Sequence, residues 1–256
     1  MNLLPVELVQ DIIRYLPRGE QLTFSLLSKR SRAVGLDVAL STINMNGQNA
    51  VDGWPSLSDD FKKLVVGRCR SLSCTINNIR ARSLDPHDNR RYYANFSTQH
   101  LSDFEQLTSL HLVAVHLNDR QLINSIQPHI KELKLDNCSS TLNGFATLIN
   151  NFPELTHLTL INIKYHQIQH ELVAPHLPPQ SLRKLFIADV SLDIGFFRLL
   201  DWIFSVPWDD VSVLEGKGTR RLKTQQFIGR ASANVKRLDL QENLCHPYRE
   251  RRMILP

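Results

Sequence analysis

The sequence predicts an α/β chain in two parts: a short N-terminal helical module over residues 1–42, then an irregular solenoid over 43–256 with parallel strands on its concave face and helices on its convex face. Three observations predict it. One leucine spacing recurs along most of the chain, the first forty residues follow a different, helical spacing, and a 42% apolar, 21% charged composition suits a folded core rather than disorder.

The recurring register is L-x-x-L-x-L. It appears at Leu107-Leu110-Leu112, Ile130-Leu133-Leu135, Leu155-Leu158-Leu160, Leu182-Leu185-Ile187 and Val235-Leu238-Leu240, with a degenerate copy at Trp208-Val211-Val213. The fourth positions, 110, 133, 158, 185, 211 and 238, lie 23, 25, 27, 26 and 27 residues apart. Leu72 with Cys74 forms an earlier copy, and Ile43 with Met45 a first one. Alternate residues of a strand point to one side, so the fourth and sixth positions enter a shared core while their neighbours face out. One such unit cannot bury its own apolar face, whereas a stack of them can.

Five residues beyond the fourth position stand Val115, Cys138, Ile163, Val190 and Asn243, and between copies Gln121 to Ile126, Ser140 to Asn150 and Gly195 to Phe204 show apolar residues at helical spacing. Register, period and this asparagine-or-small position together resemble leucine-rich repeats, and Val115 to Leu122 looks like their cysteine-containing subclass. The segment 81–106, with Asp85 to Arg91 followed by Tyr92-Tyr93, is too long for one connection and reads as a loop insertion.

The first module is helical. Leu8, Val9, Ile12, Ile13 and Leu16 form one apolar stripe, with Pro5 suited to the first turn. Pro17 stops that helix and Arg18-Gly19 is expected to turn the chain; Leu22, Phe24, Leu26 and Leu27 then lead into Ser28-Lys29-Arg30-Ser31-Arg32. A bundle of about 40 residues rarely covers its own apolar surface, so the first repeats or another protein must cover some of it.

Leu4-Pro5-x-Glu7-Leu8, Ile12, Tyr15-Leu16-Pro17, Leu22, Ser25 to Arg30 and Arg32 resemble an F-box, and an F-box ahead of leucine-rich repeats is the arrangement of F-box/leucine-rich-repeat proteins. Two departures are Ser31, where an aromatic often follows Lys-Arg, and the poorly matched sequence after Val34. The resemblance implies a substrate-recognition subunit of a Skp–cullin–F-box ubiquitin ligase that docks a Skp-family adaptor, and through it a cullin scaffold, while the repeats hold a protein substrate. On that reading Leu4, Pro5, Leu8, Ile12, Leu16, Pro17, Leu22 and Leu26 are the adaptor contacts, with Glu7 a polar contact at their edge. The chain then has no chemistry of its own and contributes proximity.

Substrate is expected on the concave strand face, at His111, Lys134, Asp136, His157, Lys184, Phe186, Arg237 and Asp239; Ser109, Val113, Glu132, Thr159, Ile161, Ala188 and Gln241 share those rows. Phe186 is expected to be exposed and Tyr248 to Arg252 to be a frayed basic tail. An alternative is a scaffold or inhibitor outside any ligase, whose N-terminal helices only cap the solenoid.

Other function classes find little support. No phosphate loop, dinucleotide fingerprint or nucleophile elbow is present, so an enzyme is not expected. His166 and His170 stand at i, i+4 with Gln167, not glutamate, between them and no third ligand, so neither a metal nor a cofactor is expected. With a net charge of only +5 and two short basic runs, nucleic acid is not expected as a partner. No apolar run reaches the roughly 18 residues of a bilayer span. With no evident secretory leader and only Cys69, Cys74, Cys138 and Cys245, the expectation is an intracellular protein, cytoplasmic or nuclear, with buried free thiols.

Overall fold

A computed structural model describes residues 5–46, 53–75, 104–115, 129–165, 177–188, 194–215, 229, 234–242 and 251–254. The module is three helices: α1 (Val6–Arg14), α2 (Arg18–Phe24) and α3 (Lys29–Ser41). Pro5 and Pro17 sit at the N-cap positions of α1 and α2, where a missing N–H costs nothing. Arg18-Gly19, expected as a turn, instead opens α2, because the Pro17 carbonyl at once accepts from Glu20 and Gln21. The Gln21 amide donates to the carbonyls of Ile13 and Leu16 (3.1 and 2.9 Å), tying the frayed end of α1 to α2. Ser28 caps α3 by accepting from the Ser31 N–H at 3.0 Å. Gly35 lets α2 and α3 touch: a Cβ there would lie 3.0 Å from the Gln21 carbonyl oxygen and from the Ser25 Cβ.

The apolar stripe of α1 divides. Ile13 is buried and Val9 and Leu16 half-buried, while Leu8 and Ile12 face solvent. Five apolar positions over such an arc are wider than α3 can cover, so the outer pair is left over.

After α3 the chain enters β1 (Thr42–Asn46) with no intervening residue. A short 3-10 helix (Trp54–Ser56), α4 (Asp59–Val66) and β2 (Ser71–Thr75) follow. Then come β3 (Ser109–Val113), β4 (Glu132–Asp136), the two-residue β5 (Ser139–Ser140), α5 (Leu142–Asn150), β6 (His157–Ile161) and β7 (Lys164–Tyr165). The last elements are β8 (Lys184–Ala188), α6 (Ile194–Ile203), β9 (Asp210–Glu215), β10 (Arg237–Glu242) and β11 (Arg251–Ile254).

One nine-stranded sheet runs β1-β2-β3-β4-β6-β8-β9-β10-β11, each strand beside its predecessor, and β5 pairs with β7 separately. Every pairing in the large sheet is parallel except β10 with β11. The fourth positions align in one row (Ile43, Leu72, Leu110, Leu133, Leu158, Leu185, Val211, Leu238), with the sixth positions in a second. Leu72, Leu110, Leu133, Leu158 and Leu185 are buried in one core, joined from behind by Phe145, Leu148 and Ile149 of α5 and Leu199, Leu200 and Ile203 of α6.

The backbone closes each copy the same way. The carbonyls of Arg70, Thr108, Lys131, Thr156 and Arg183, just ahead of successive strands, each accept two N–H groups from the next copy. Past the strand ends, Ala114, Asn137 and Asn162 have φ of 57, 52 and 48°, and their N–H groups donate to Asp136, Ile161 and Ala188. Val115, Cys138 and Ile163 then turn into the core. Of the expected helices, α5 and α6 lie within two residues of their forecast bounds, while 121–126 and most of 81–106 fall outside the described residues. The expected basic tail is corrected in part: Arg251 and Arg252 belong to β11, which satisfies the free edge of β10.

Candidate protein-binding surfaces

Two surfaces gather the residues singled out from the sequence. On the helices, Leu8 is 51% exposed, Ile12 55%, Leu22 41% and Leu26 72%. Leu8 and Ile12 are one turn apart on α1, and Leu22 and Leu26 hold the same spacing across the end of α2. Pro5, Glu7 and Pro17 are exposed, Leu16 is half-buried, and Leu4 lies outside the described residues. Tyr15, at 91%, and Leu27, at 66%, join this surface although the forecast set omits them. Tyr15 follows α1 at its C-cap and Leu27 precedes the Ser28 cap, so neither sits inside an element with a face to bury, and periodicity does not mark them.

The strand face opposite the leucine rows presents three rows. The central one runs Ser73, His111, Lys134, Thr159, Phe186, Ser212, Asp239. Beside it run Ser71, Ser109, Glu132, His157, Lys184, Asp210 on one side and Thr75, Val113, Asp136, Ile161, Ala188 on the other. Of the forecast residues Lys184 and Arg237 are exposed, and His111, Lys134, Asp136, His157, Phe186 and Asp239 are half-buried. Phe186 is thus less exposed than expected, and Ala188 is buried rather than outward.

His111 is the most constrained member. Its Nδ1 lies 3.3 Å from the Ser73 hydroxyl and its Nε2 3.9 Å from the Asp136 carboxylate. The second distance is too long for a hydrogen bond. Burial first, and then the neighbouring Lys134, hold the imidazole below its usual pKa, with Asp136 opposing both. The ring is therefore neutral near pH 7. Ser73 went unnoticed in the sequence because its copy of the register is degenerate, with Cys74 where a leucine is usual.

Along the strand starts, Asp209 receives Lys236 at 2.7 Å and Arg183 at 3.6 Å, and the Lys236 contact holds its carboxyl below the ordinary range. Cys69, Cys74 and Cys138 are free and buried; burial pushes the first up to about 11 and the other two to about 12. Among the described residues no three His, Cys, Asp or Glu side chains are grouped to hold a metal, and His166 and His170 lie outside them. No described helix is long and apolar enough to cross a membrane.

The family model for the F-box domain matches residues 1–40, the whole of the three-helix module up to the last turn of α3. No curated protein matches the sequence.

Proposed function

We propose that this chain, whose residues 1–40 match the F-box domain, is the substrate-recognition subunit of a Skp–cullin–F-box ubiquitin ligase. Its exposed helical face docks a Skp-family adaptor, and a cullin scaffold is reached through that adaptor. One observation carries the reading: Leu8 and Ile12 on α1, Leu22 on α2, and Leu26 and Leu27 just after it all remain exposed in a module whose packed side is marked by Ile13, Val34 and Leu40. A small module that leaves so much apolar surface free is built for a partner. Pro5, Leu16 and Pro17 complete the patch, with Leu4 preceding it and Glu7 at its edge.

The nine-strand array is read as a leucine-rich-repeat solenoid. Consecutive pairing, aligned leucine rows, repeated left-handed turns and helices behind the sheet support that reading. Its concave face holds a protein substrate at His111, Lys134, Asp136, His157, Lys184, Phe186, Arg237 and Asp239. This row offers charge of both signs around one aromatic, a surface suited to polypeptide rather than to a small molecule. The chain itself is not an enzyme on this reading and acts in the cytoplasm or nucleus. Ser73, His111 and Asp136 have the composition of a hydrolytic triad without its contacts, since histidine and aspartate stand 3.9 Å apart.

One observation favours a second reading, a repeat scaffold outside any ligase. Leu40 of α3 lies in the core of the sheet, so the helices also cap it. Capping uses the inner side of the module and docking the outer. A pull-down with a Skp-family adaptor separates the two readings. The wild-type chain is expected to bind, and Leu8→Ala/Ile12→Ala to bind at least about tenfold more weakly with an unchanged melting temperature. Absence of binding by a well-folded wild-type chain leaves the scaffold.

A further inference from the structure

A polar groove of about 220 Å³ opens where the helical module meets the sheet, lined by Gln10 and Arg14 of α1, Asp37 and Ser41 of α3, Arg68 and Arg70 after α4, and Gln106 ahead of β3. Neither proposed binding surface uses these residues.

Three guanidinium groups and one carboxylate line the groove, and each basic residue is held by a different support. Arg14 is steadied by Asp11 at 3.0 Å, a pair exposed on the outside of α1. Arg68 donates from Nε to Asp37 at 2.7 Å and from Nη1 to the Leu64 carbonyl at 3.2 Å. The backbone of Arg70 is locked on both sides: its N–H donates to Ser41, and its carbonyl accepts from Thr108 and Ser109. The Arg70 side chain is exposed and has no partner among the described residues. A guanidinium has five N–H donors, so the bonds above leave most donors of Arg14 and Arg68 unclaimed by them, beside all five of Arg70. Gln10, Gln106 and Ser41 add neutral donors around the same space.

We infer that this groove binds a phosphate group, with Arg70 as its principal ligand and Arg14 and Arg68 closing around it. Planar guanidinium forks match the oxygen edges of a tetrahedral anion, and Arg14, Arg68 and Arg70 set against Asp11 and Asp37 leave a positive excess for that anion to meet. Asp37 fixes the Arg68 fork instead of competing for the centre, since Nε is already engaged with it. The same phosphate chemistry is presented by the free ion and by a phosphorylated serine or threonine. Since α1, α3 and the segments leading into β2 and β3 all contribute, occupancy adds to the contacts that hold the module against the start of the sheet.

The test uses the full chain and inorganic phosphate, titrated calorimetrically and by thermal shift against sodium chloride at equal ionic strength. Saturable binding and a raised melting temperature are expected for the wild type. Arg70→Gln, which breaks no described side-chain contact, is expected to melt as the wild type does without phosphate and to bind it about tenfold more weakly. Arg14→Gln serves as an independent second variant and is expected to weaken binding in the same direction. A phosphoserine peptide that binds more tightly than the free ion identifies a modified partner as the source, and equal affinity identifies the ion. Lack of saturable binding by the wild type, or equal binding by wild type and Arg70→Gln, overturns the proposal.

Discussion

His111 links a single side chain to the pH response of the whole chain. Its folded pKa lies below that of a free imidazole, because burial and Lys134 disfavour the charged form more than Asp136 favours it. The unfolded chain therefore binds this proton more readily than the folded one. The resulting stability is fully present above about pH 6.5 and is lost as the pH falls through that value towards the folded pKa. Urea unfolding of His111→Gln across about pH 5 to 7.5 is expected to show a shallower loss on the acid side than the wild type; parallel curves would remove His111 from the account. Ala114 makes a second residue-scale case. It holds φ 57° where the next two copies place Asn137 and Asn162, and the Asn162 amide donates to the Asn137 side-chain oxygen at 3.2 Å. A left-handed backbone costs an alanine roughly 1–2 kcal/mol, so Ala114→Asn is expected to raise stability by about 0.5 kcal/mol or more, read from the denaturation midpoint. The sequence concealed this turn, since alanine is no turn signal and only the alignment of copies exposes it.

At the scale of an element, the strands were the most legible part of the chain. Alternation within five residues decides which side chains are buried, so Leu133 and Leu135 marked β4 without help from distant residues. Helix α5 was nearly as clear, because its apolar face and the Thr141 cap are both local; the threonine accepts from the Gly144 N–H at 3.1 Å. Thr141→Ala is accordingly expected to cost about 1 kcal/mol with the fold intact. Leu133→Asp is a different matter. Its side chain is 1% exposed within the leucine row, and a carboxylate there has no partner, so a loss of about 4 kcal/mol or more is expected, with loss of the cooperative far-ultraviolet melt. Less legible were the α1 stripe and the start of α2. Which of five apolar residues on α1 is covered depends on where α3 lies, and a local pattern does not contain that. Of the leucines forecast for docking, Leu8, Leu22 and Leu26 are exposed and Leu16 is half-buried, while exposed Tyr15 and Leu27 fell outside the set because residues at helix ends carry no periodic signal.

Across the whole molecule, the junction between helices and sheet sets what unfolds with what. The Asp37–Arg68 ion pair at 2.7 Å is partly exposed and is expected to add at most about 1 kcal/mol. Leu40, 5% exposed and packed into the sheet core, carries more. Leu40→Ala is expected to cost about 2–5 kcal/mol and to lower one cooperative transition. Two separated transitions in calorimetry would show that module and sheet melt independently. The polar groove spans the same junction and was not legible in the sequence, since Arg14, Arg68 and Gln106 meet only once the chain is folded.

Helix α3 ends at Ser41 and β1 starts at Thr42, which leaves no residue to act as a pivot. The module therefore behaves as a handle rigidly fixed to a blade: to grip the one is to aim the other. The angle between anything bound on the outer leucines and anything bound on the strand face is then set at that junction and by the Leu40 packing beneath it. A change of reach between two such partners then has to come from bending along the sheet, strand by strand, and not from a swivel at its root.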